Sequence, residues 1–322
     1  MEYFLSCDWG TSAFRLRLVK TNNLEVIAEE VSDKGIAGTF QSWREAQHKD
    51  RITFYLDIIS EHIHKLEQRL SLNLGQVPVI LSGMASSSIG MLELPYQELP
   101  FALDGGGLKT EYLKASPAFP HDLVLISGVK SEYDVMRGEE TQLIGLVTEQ
   151  PGAGQEQVFI FPGTHSKHIR VKGNNAVAFK TYMTGEFFAL LSQKSILSAT
   201  VAPAENPEAP GLDAAFKQGI KDAVGANLLH AAFRVRTNNL FGVLNPQENF
   251  SYLSGLIIGS ELQDLLNKNS RINLVAGHQL QKYYATALQE LGLSEQVQTF
   301  PARWVDEAVV RGQYKIYQRL TS

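Results

Sequence analysis

The chain has 322 residues, 44% of them hydrophobic and 20% charged, which are proportions of a globular protein and not of a disordered one. A formal net charge of −5 excludes a broad nucleic-acid-binding surface, which needs clustered excess Lys and Arg, while leaving room for a local basic pocket that holds a small anion. Cys7 is the single cysteine, no apolar run approaches the roughly 20 residues of a membrane span, and the first residues read as a strand and not as a signal peptide. The expectation is a soluble, cytoplasmic protein of two compact domains or one large one, with no membrane and no nucleic-acid partner.

In chain order, Tyr3–Val19 reads as a strand, a tight turn and a second strand, because Phe14, Leu16 and Leu18 alternate with Arg15 and Arg17. Leu24–Ser32 adds a third strand with Val26 and Ala28 inward, completing an antiparallel meander. Gly35–Gly38 reads as a loop and Trp43–Leu70 as helix. Val77–Leu81 is a short apolar run typical of a buried parallel strand, ending in the small-residue loop Ser82–Gly90, where open α/β sheets bind ligands. Leu92–Pro120 reads as irregular, with Gly105–Gly107 a flexible loop. Leu123–Ser127 is a strand, and Met136–Leu146 opens a helix with Glu139 and Glu140 in its first turn. Pro151–Gly154 reads as the linker between domains 1–150 and 151–322.

Beyond it come strands at Val158–Phe161, His168–Val171 and Ala176–Lys180. A helix then starts at Thr184, its expected N-cap, and a surface loop follows at Ala202–Pro210. Phe250–Leu266 reads as a helix carrying Gly255 and Gly259, then Ile272–Ala276 as a strand leading through Gly277 into the helix Gln279–Leu291. Val297–Phe300 and a final helix, Ala302–Arg319, close the chain, with packing of that helix back onto the first domain left open.

Both halves open on a three-strand meander with Gly-Thr in its first turn, Trp9-Gly-Thr-Ser12 in one and Pro162-Gly-Thr-His-Ser-Lys167 in the other. Asp8, Gly10, Thr11 and Ser12 are residue types that a phosphate-and-magnesium site needs: glycine for close backbone approach, N–H and hydroxyl donors for phosphate, a carboxylate for a hydrated cation. Ordinary turn chemistry uses the same residues. The duplicated pattern resembles the actin-like ATPase fold of sugar kinases, hexokinase and Hsp70. That resemblance implies two α/β domains of ribonuclease H-like type facing across a nucleotide cleft, each supplying one phosphate hairpin.

Longer motifs sharpen it. Asp8-x-Gly-Thr-Ser-x-x-Arg15 resembles the first phosphate motif of carbohydrate kinases, Ile80-Leu-Ser-Gly-Met84 their substrate loop and Leu274-Val-Ala-Gly277 their adenosine motif. Met136–Gly145, Pro162–Lys167, Met183–Glu186 and Leu253–Gly259 resemble the 2-keto-3-deoxygalactonate kinase family over nearly the full chain, fading between about Pro100 and Lys130.

The resemblance implies transfer of phosphate from ATP, with Mg²⁺, to the 6-hydroxyl of 2-dehydro-3-deoxy-D-galactonate. Asp8 is the magnesium-side carboxylate. Gly10, Thr11, Ser12, Gly163, Thr164 and Ser166 are the phosphate donors, with Lys167 and Arg15 offsetting charge unless Arg15 only occupies a solvated strand face. Glu139 is the base and Glu140 its immediate rival, or both are plain first-turn carboxylates. Ser82, Gly83 and Met84 line the sugar acid, whose carboxylate Arg137 binds unless an interdomain ion pair claims it. Gly255, Gly259 and Gly277 admit adenosine, with Glu261 reaching for the ribose, unless the first two serve helix packing. His165 and His168 lack metal-ligand spacing. Other readings kept open are another carbohydrate kinase of the superfamily, a non-catalytic sugar sensor, and an ATPase or phosphatase. The oligomeric state is open, a homodimer included.

Overall fold

The computed structural model describes residues 1–46, 50–147, 156–266 and 268–321. The expected linker Pro151–Gly154 lies outside them. The chain forms two compact units, one of Met1–Gly154, Lys172–Ala178 and Arg303–Ser322, the other of Gln155–Val171 and Phe179–Ala302.

The first unit opens with β1 (Tyr3–Trp9), β2 (Phe14–Lys20) and β3 (Val26–Ser32), then α1 (Ile36–Glu45), α2 (Arg51–Leu70) and β4 (Val79–Gly83). Short strands β5 (Gln97–Glu98), β6 (Phe101–Ala102) and β7 (Thr110–Leu113) precede β8 (Leu123–Ile126), β9 (Val129–Lys130), β10 (Val135–Met136) and α3 (Glu139–Leu146). The main sheet runs β3-β2-β1-β4-β8-β7, with β4 parallel to both β1 and β8. Period-2 alternation sends Leu5, Cys7, Trp9, Phe14, Leu16 and Leu18 into the core, where α2 contributes Tyr55, Ile59, Ile63 and Leu66 at i, i+4, i+8 and i+11. Burial of each such side chain stabilises the unit by roughly 1.5–3 kcal/mol.

Several boundaries differ from the sequence reading. The stretch Trp43–Leu70 is not one helix: α1 starts at Ile36, inside the expected loop, and α2 starts at Arg51 with Asp50 as N-cap accepting from the Thr53 N–H. Val26 is 38% exposed because the β2–β3 register shifts between Leu18 and Val19, which breaks the alternation assumed for β3. Strands β5–β7 occupy the stretch expected to be irregular. The glycine run there is packed: a Cβ on Gly105 would lie 2.8 Å from the Lys315 carbonyl oxygen.

The C-terminal helix (Ala302–Thr321) belongs to this unit from Arg303 on. Gln313 is fully buried and donates to the Cys7 carbonyl and the Ser82 hydroxyl, and Tyr314 stacks on Phe4.

The second unit contains β11 (Gln157–Phe161), β12 (Ser166–Lys172), β13 (Asn175–Tyr182), α4 (Thr184–Lys194), α5 (Leu212–Ala223), α6 (Leu228–Leu240), α7 (Pro246–Leu262), β14 (Arg271–Leu274), α8 (His278–Glu290) and β15 (Val297–Thr299). The first four residues of β13, Asn175–Ala178, lie within the first unit, with Asn175 and Ala176 opposite Ala102 and Phe101. The strands of this unit run β13-β12-β11-β14-β15, with β14 parallel to β11 and β15. That is the order of β3-β2-β1-β4-β8, so the echo of two Gly-Thr turns in sequence is a duplication of one sheet topology. Helices α5 and α6 fill a stretch where the sequence reading named no element.

Candidate active site

In the first unit, Asp8 is the penultimate residue of β1, opposite Arg15 of β2 and Ser82 of β4. Gly10 begins the turn, its N–H donating to the Ala13 carbonyl. The carbonyls of Gly10 and Thr11 accept from the N–H groups of Ile36 and Ala37, so this turn satisfies the first amides of α1. The turn is thereby fixed from outside while the Thr11 and Ser12 side chains stay exposed. Arg15 sits 3.6 Å from Glu29, and the buried Arg17 bonds the same carboxylate at 2.6 Å. Arg15 thus shares Glu29 with Arg17 while lying opposite Asp8 on the neighbouring strand.

Three elements converge on Asp8. Gly83 ends β4 with φ +92°, and a Cβ there would lie 2.8 Å from the Trp9 carbonyl oxygen and 3.4 Å from Asp8 Oδ1. Only glycine leaves this side of the carboxylate open. Gly138, the residue before α3, also has a positive φ, +110°, and a Cβ on it would come 3.8 Å from Gly83 Cα. Glu139 then starts α3 half-buried. Burial raises the Asp8 pKa, Arg17 and Arg15 pull it down, and the Glu139 charge pushes it up, so the two carboxylates feel one another.

The residues after Glu139 and Ser82 have other work. Glu140 is 1% exposed, and both its oxygens accept from the Gly138 N–H at 2.8 Å, with the Thr141 hydroxyl at 3.2 Å. As a rival base or substrate ligand it is ruled out by this burial: it shapes the turn that presents Glu139. Ser82 is likewise fully buried and bound to Gln313, so it holds the C-terminal helix and not a sugar. Met84 is half-buried at the start of a short 3₁₀ turn.

Burial, followed by the adjacent Glu139 charge, pushes the Glu140 carboxyl up to about 8, while hydrogen bonds from the backbone and Thr141 work the other way. The folded-state value lies above that of the unfolded chain, so the native protein keeps a proton the unfolded chain releases. Stability from this group therefore falls as pH rises from about 4.5 to about 8. Glu140→Gln retains an oxygen for the Gly138 N–H and removes the titration. Urea midpoints at pH 5 and pH 8 should fall less in this variant than in the wild type, and an equal fall in both would refute the assignment.

Arg137 lies between Met136 and Gly138. Its guanidinium stacks 4.1 Å above the Tyr96 ring, donates from Nη1 to Ser86 Oγ at 2.7 Å and from Nε to the Tyr96 hydroxyl at 3.2 Å. Among the described residues it has no carboxylate partner, so the expected alternative of an ion pair is not what holds it. Tyr96 was missed in sequence, and Ser86 entered only as a member of the ligand-side loop Ser82–Gly90; nothing in the spacing of residues 86, 96 and 137 marks them as neighbours.

In the second unit the turn is Gly163-Thr164-His165. A Cβ on Gly163 would meet nothing within 4 Å, and Thr164 and His165 are exposed. The N-terminus of α4 abuts it: Glu186 N–H donates to the Thr164 carbonyl and its carboxylate meets His165 Nε2 at 2.5 Å. Lys167 Nζ donates to the His165 carbonyl at 3.2 Å. Ser166, expected to face phosphate, is fully buried and donates to Glu261 at 2.6 Å. Thr184 is the first helical residue and not the N-cap, because its hydroxyl also donates to Glu261.

A cavity of about 220 Å³ opens beside Gly163, lined by Gly185 and Phe188 of α4, Ser254 and Ile258 of α7, and Tyr283 and Tyr284 of α8. Gly277, which caps α8, has open space around it. Gly255 and Gly259 do not line this cavity. A Cβ at either would strike α5, 2.0 Å from the Phe216 carbonyl oxygen and 2.9 Å from Ile220 Cα, so they serve helix packing. Glu261 is 2% exposed with its oxygens fully engaged, which excludes the expected ribose contact.

Two copies of one sheet order, each opening on a Gly-Thr turn with exposed donors, define an actin-like α/β protein of the ATPase and sugar-kinase class. The activator of 2-hydroxyisocaproyl-CoA dehydratase from Clostridium difficile, solved with bound ADPNP, shares this fold at a TM-score of 0.51 and 12% identity, covering 99% of this chain and 96% of its own. The sequence profile of the 2-keto-3-deoxy-galactonokinase family matches residues 8–316, and the chain belongs to that family. It is 33% identical over 303 residues to the probable 2-dehydro-3-deoxygalactonokinase DgoK1 of Rhizobium meliloti (strain 1021), covering 91% of this chain and 90% of that one. It is 31% identical over 224 residues to the 2-dehydro-3-deoxygalactonokinase of Escherichia coli (strain K12), covering 67% and 72%. A crystal structure of a Sinorhizobium meliloti protein assigned to the same activity superposes with a TM-score of 0.79 at 30% identity, covering 99% of both chains. The chain is a sugar-acid kinase, a phosphotransferase with an alcohol group as acceptor.

Proposed function

We propose that the protein transfers the γ-phosphate of ATP to the 6-hydroxyl of 2-dehydro-3-deoxy-D-galactonate, with Glu139 as base. The observation that carries the substrate class is Arg137. A guanidinium that is half-buried, aligned by Tyr96 and Ser86 and without a carboxylate among the described residues is pre-organised for the carboxylate of a sugar acid. Gly138 separates it from Glu139, so acid recognition and proton abstraction come from one tight turn.

Phosphoryl transfer needs positioning, charge neutralisation and a base for the attacking hydroxyl. Within the first unit the phosphate donors are Gly10, Thr11 and Ser12; within the second they are Gly163 and Thr164, with Lys167 adding charge near its turn. The cavity beside Gly163, with Tyr283 and Gly277 at α8, takes the adenosine. Among the described residues no group of three or more His, Cys, Asp or Glu could hold a metal. Mg²⁺ suits such a site, because it keeps several waters and takes one or two carboxylates with phosphate oxygens. Asp8, half-buried beside the open flank left by Gly83, would hold it, and the ion would neutralise phosphate charge when bound.

A coupled ADP-release assay over a panel of 2-keto-3-deoxy sugar acids tests the reading, and sugar-independent ATP hydrolysis as the sole activity would overturn it. In the same assay Arg137→Met should raise KM for the sugar acid roughly 10–100-fold, the value of a lost charged hydrogen-bond pair, and leave KM for ATP within about twofold. An equal rise in both would remove Arg137 from the acid site.

A further inference from the structure

Glu261 is a buried carboxylate of the second unit engaged by four side chains. It lies in the last turn of α7, 2% exposed, and its two oxygens accept from four side chains on three other elements. Oε1 takes Ser166 Oγ at 2.6 Å and His168 Nε2 at 2.8 Å, both from β12. Oε2 takes Thr184 Oγ1 at 2.5 Å from α4 and Tyr284 OH at 2.6 Å from α8. A carboxylate offers about four lone-pair sites, so its capacity is filled.

Three of these four donors, Ser166, Thr184 and Tyr284, share a place around one turn and one cavity, and His168 follows Ser166 on β12. Ser166 is the residue that closes the Gly163–His165 turn and begins β12. Thr184 precedes Gly185, whose Cβ, were there one, would lie 2.8 Å from both the Gly163 carbonyl oxygen and Thr164 Cα. Thr184 and Tyr284 both line the 220 Å³ cavity. A fully satisfied buried network of this kind fixes side chains that would otherwise choose among rotamers.

We propose that Glu261 is a positioning residue for nucleotide binding: its carboxylate locks the second Gly-Thr turn to the walls of the adjacent cavity without touching the nucleotide. The assignment rests on the reading of that turn and cavity as the nucleotide site. Glu261→Gln replaces an acceptor by an NH₂ donor, so two of the four buried donors lose their partner, and turn and cavity wall are free to drift apart.

Calorimetric titration of the full-length protein with Mg²⁺-ADP, without any sugar, tests the proposal. We expect E261Q to bind ADP on the order of tenfold more weakly or worse, and KM for ATP to rise while KM for the sugar acid stays unchanged. Should E261Q fail to fold, the pair Thr184→Val and Thr184→Ser decides, since the first removes a hydroxyl donor to Oε2 and the second retains it: weakened ADP binding in T184V restored in T184S supports the proposal. An unchanged Kd in a folded E261Q, or in T184V, overturns it even where thermal stability has dropped, because a purely structural role lowers stability alone. A wild-type protein that binds no ADP overturns both this proposal and the nucleotide site on which it depends.

Discussion

Glu139→Gln should lower kcat by roughly 10²–10⁴-fold, the usual contribution of a positioned general base, with KM for ATP and sugar acid both within about threefold of wild type. The amide is isosteric and cannot take a proton, so binding persists while the chemical step slows. The Glu139 carboxyl stands at the start of α3, beside the Asp8 end of β1, and it is the member of the Glu139–Glu140 pair not consumed by the Gly138 amide. Glu140→Gln should by contrast leave kcat within about tenfold, since its part is to shape the turn. Pre-steady-state quench-flow on both variants separates chemistry from product release. A kcat for E139Q equal to wild type would remove the residue from the proton transfer.

The duplicated topology was legible because it is written in local signals: apolar alternation, Gly-Thr turns and apolar runs ending in small residues. Glu139 as the proposed base was legible only as a position at a helix start, and preferring it to Glu140 needed the observation that the Glu140 side chain turns inward. Ser166 shows the limit. A serine in a phosphate-like turn looks like a phosphate donor in sequence, but its hydroxyl direction depends on a glutamate 95 positions later. Gly255 and Gly259 show another. Two glycines four apart mark one close approach on one helix face, and α7 is buried on nearly all sides, so periodicity does not say whether a nucleotide or a helix approaches. The cavity instead uses Ser251, Ser254 and Ile258 on a different face, a spacing of i, i+3, i+7 that reads in sequence as ordinary core.

The position of Glu139 depends on a second close approach, between α3 and the C-terminal helix, and Gly312→Ala tests it. A Cβ at Gly312 would sit 1.9 Å from the Thr141 carbonyl oxygen, and one at Gly145 would sit 1.9 Å from the Ala308 carbonyl oxygen. Both obstacles are backbone, so no rotamer change relieves them and the helices must separate. Overpacking of this kind costs typically 1–3 kcal/mol and occasionally more. With both sides rigid we expect about 3 kcal/mol, or a fall in Tm of roughly 6–12 °C for a unit of this size. The separation also moves α3 and with it Glu139, and a displacement of about 1 Å at a reacting group costs on the order of 10²-fold in rate. G312A should therefore lose kcat at temperatures where it remains folded, in addition to melting earlier. Gly38→Ala is the internal comparison: it lies within α1, a Cβ there would meet nothing within 4 Å, and alanine in a helix interior should be neutral or stabilise by up to about 1 kcal/mol. Differential scanning calorimetry of the two variants, with kcat measured at 25 °C, gives opposite signs in Tm if close packing of α3 against the last helix sets the geometry of the base. A G312A protein that melts and turns over like wild type would place that control elsewhere.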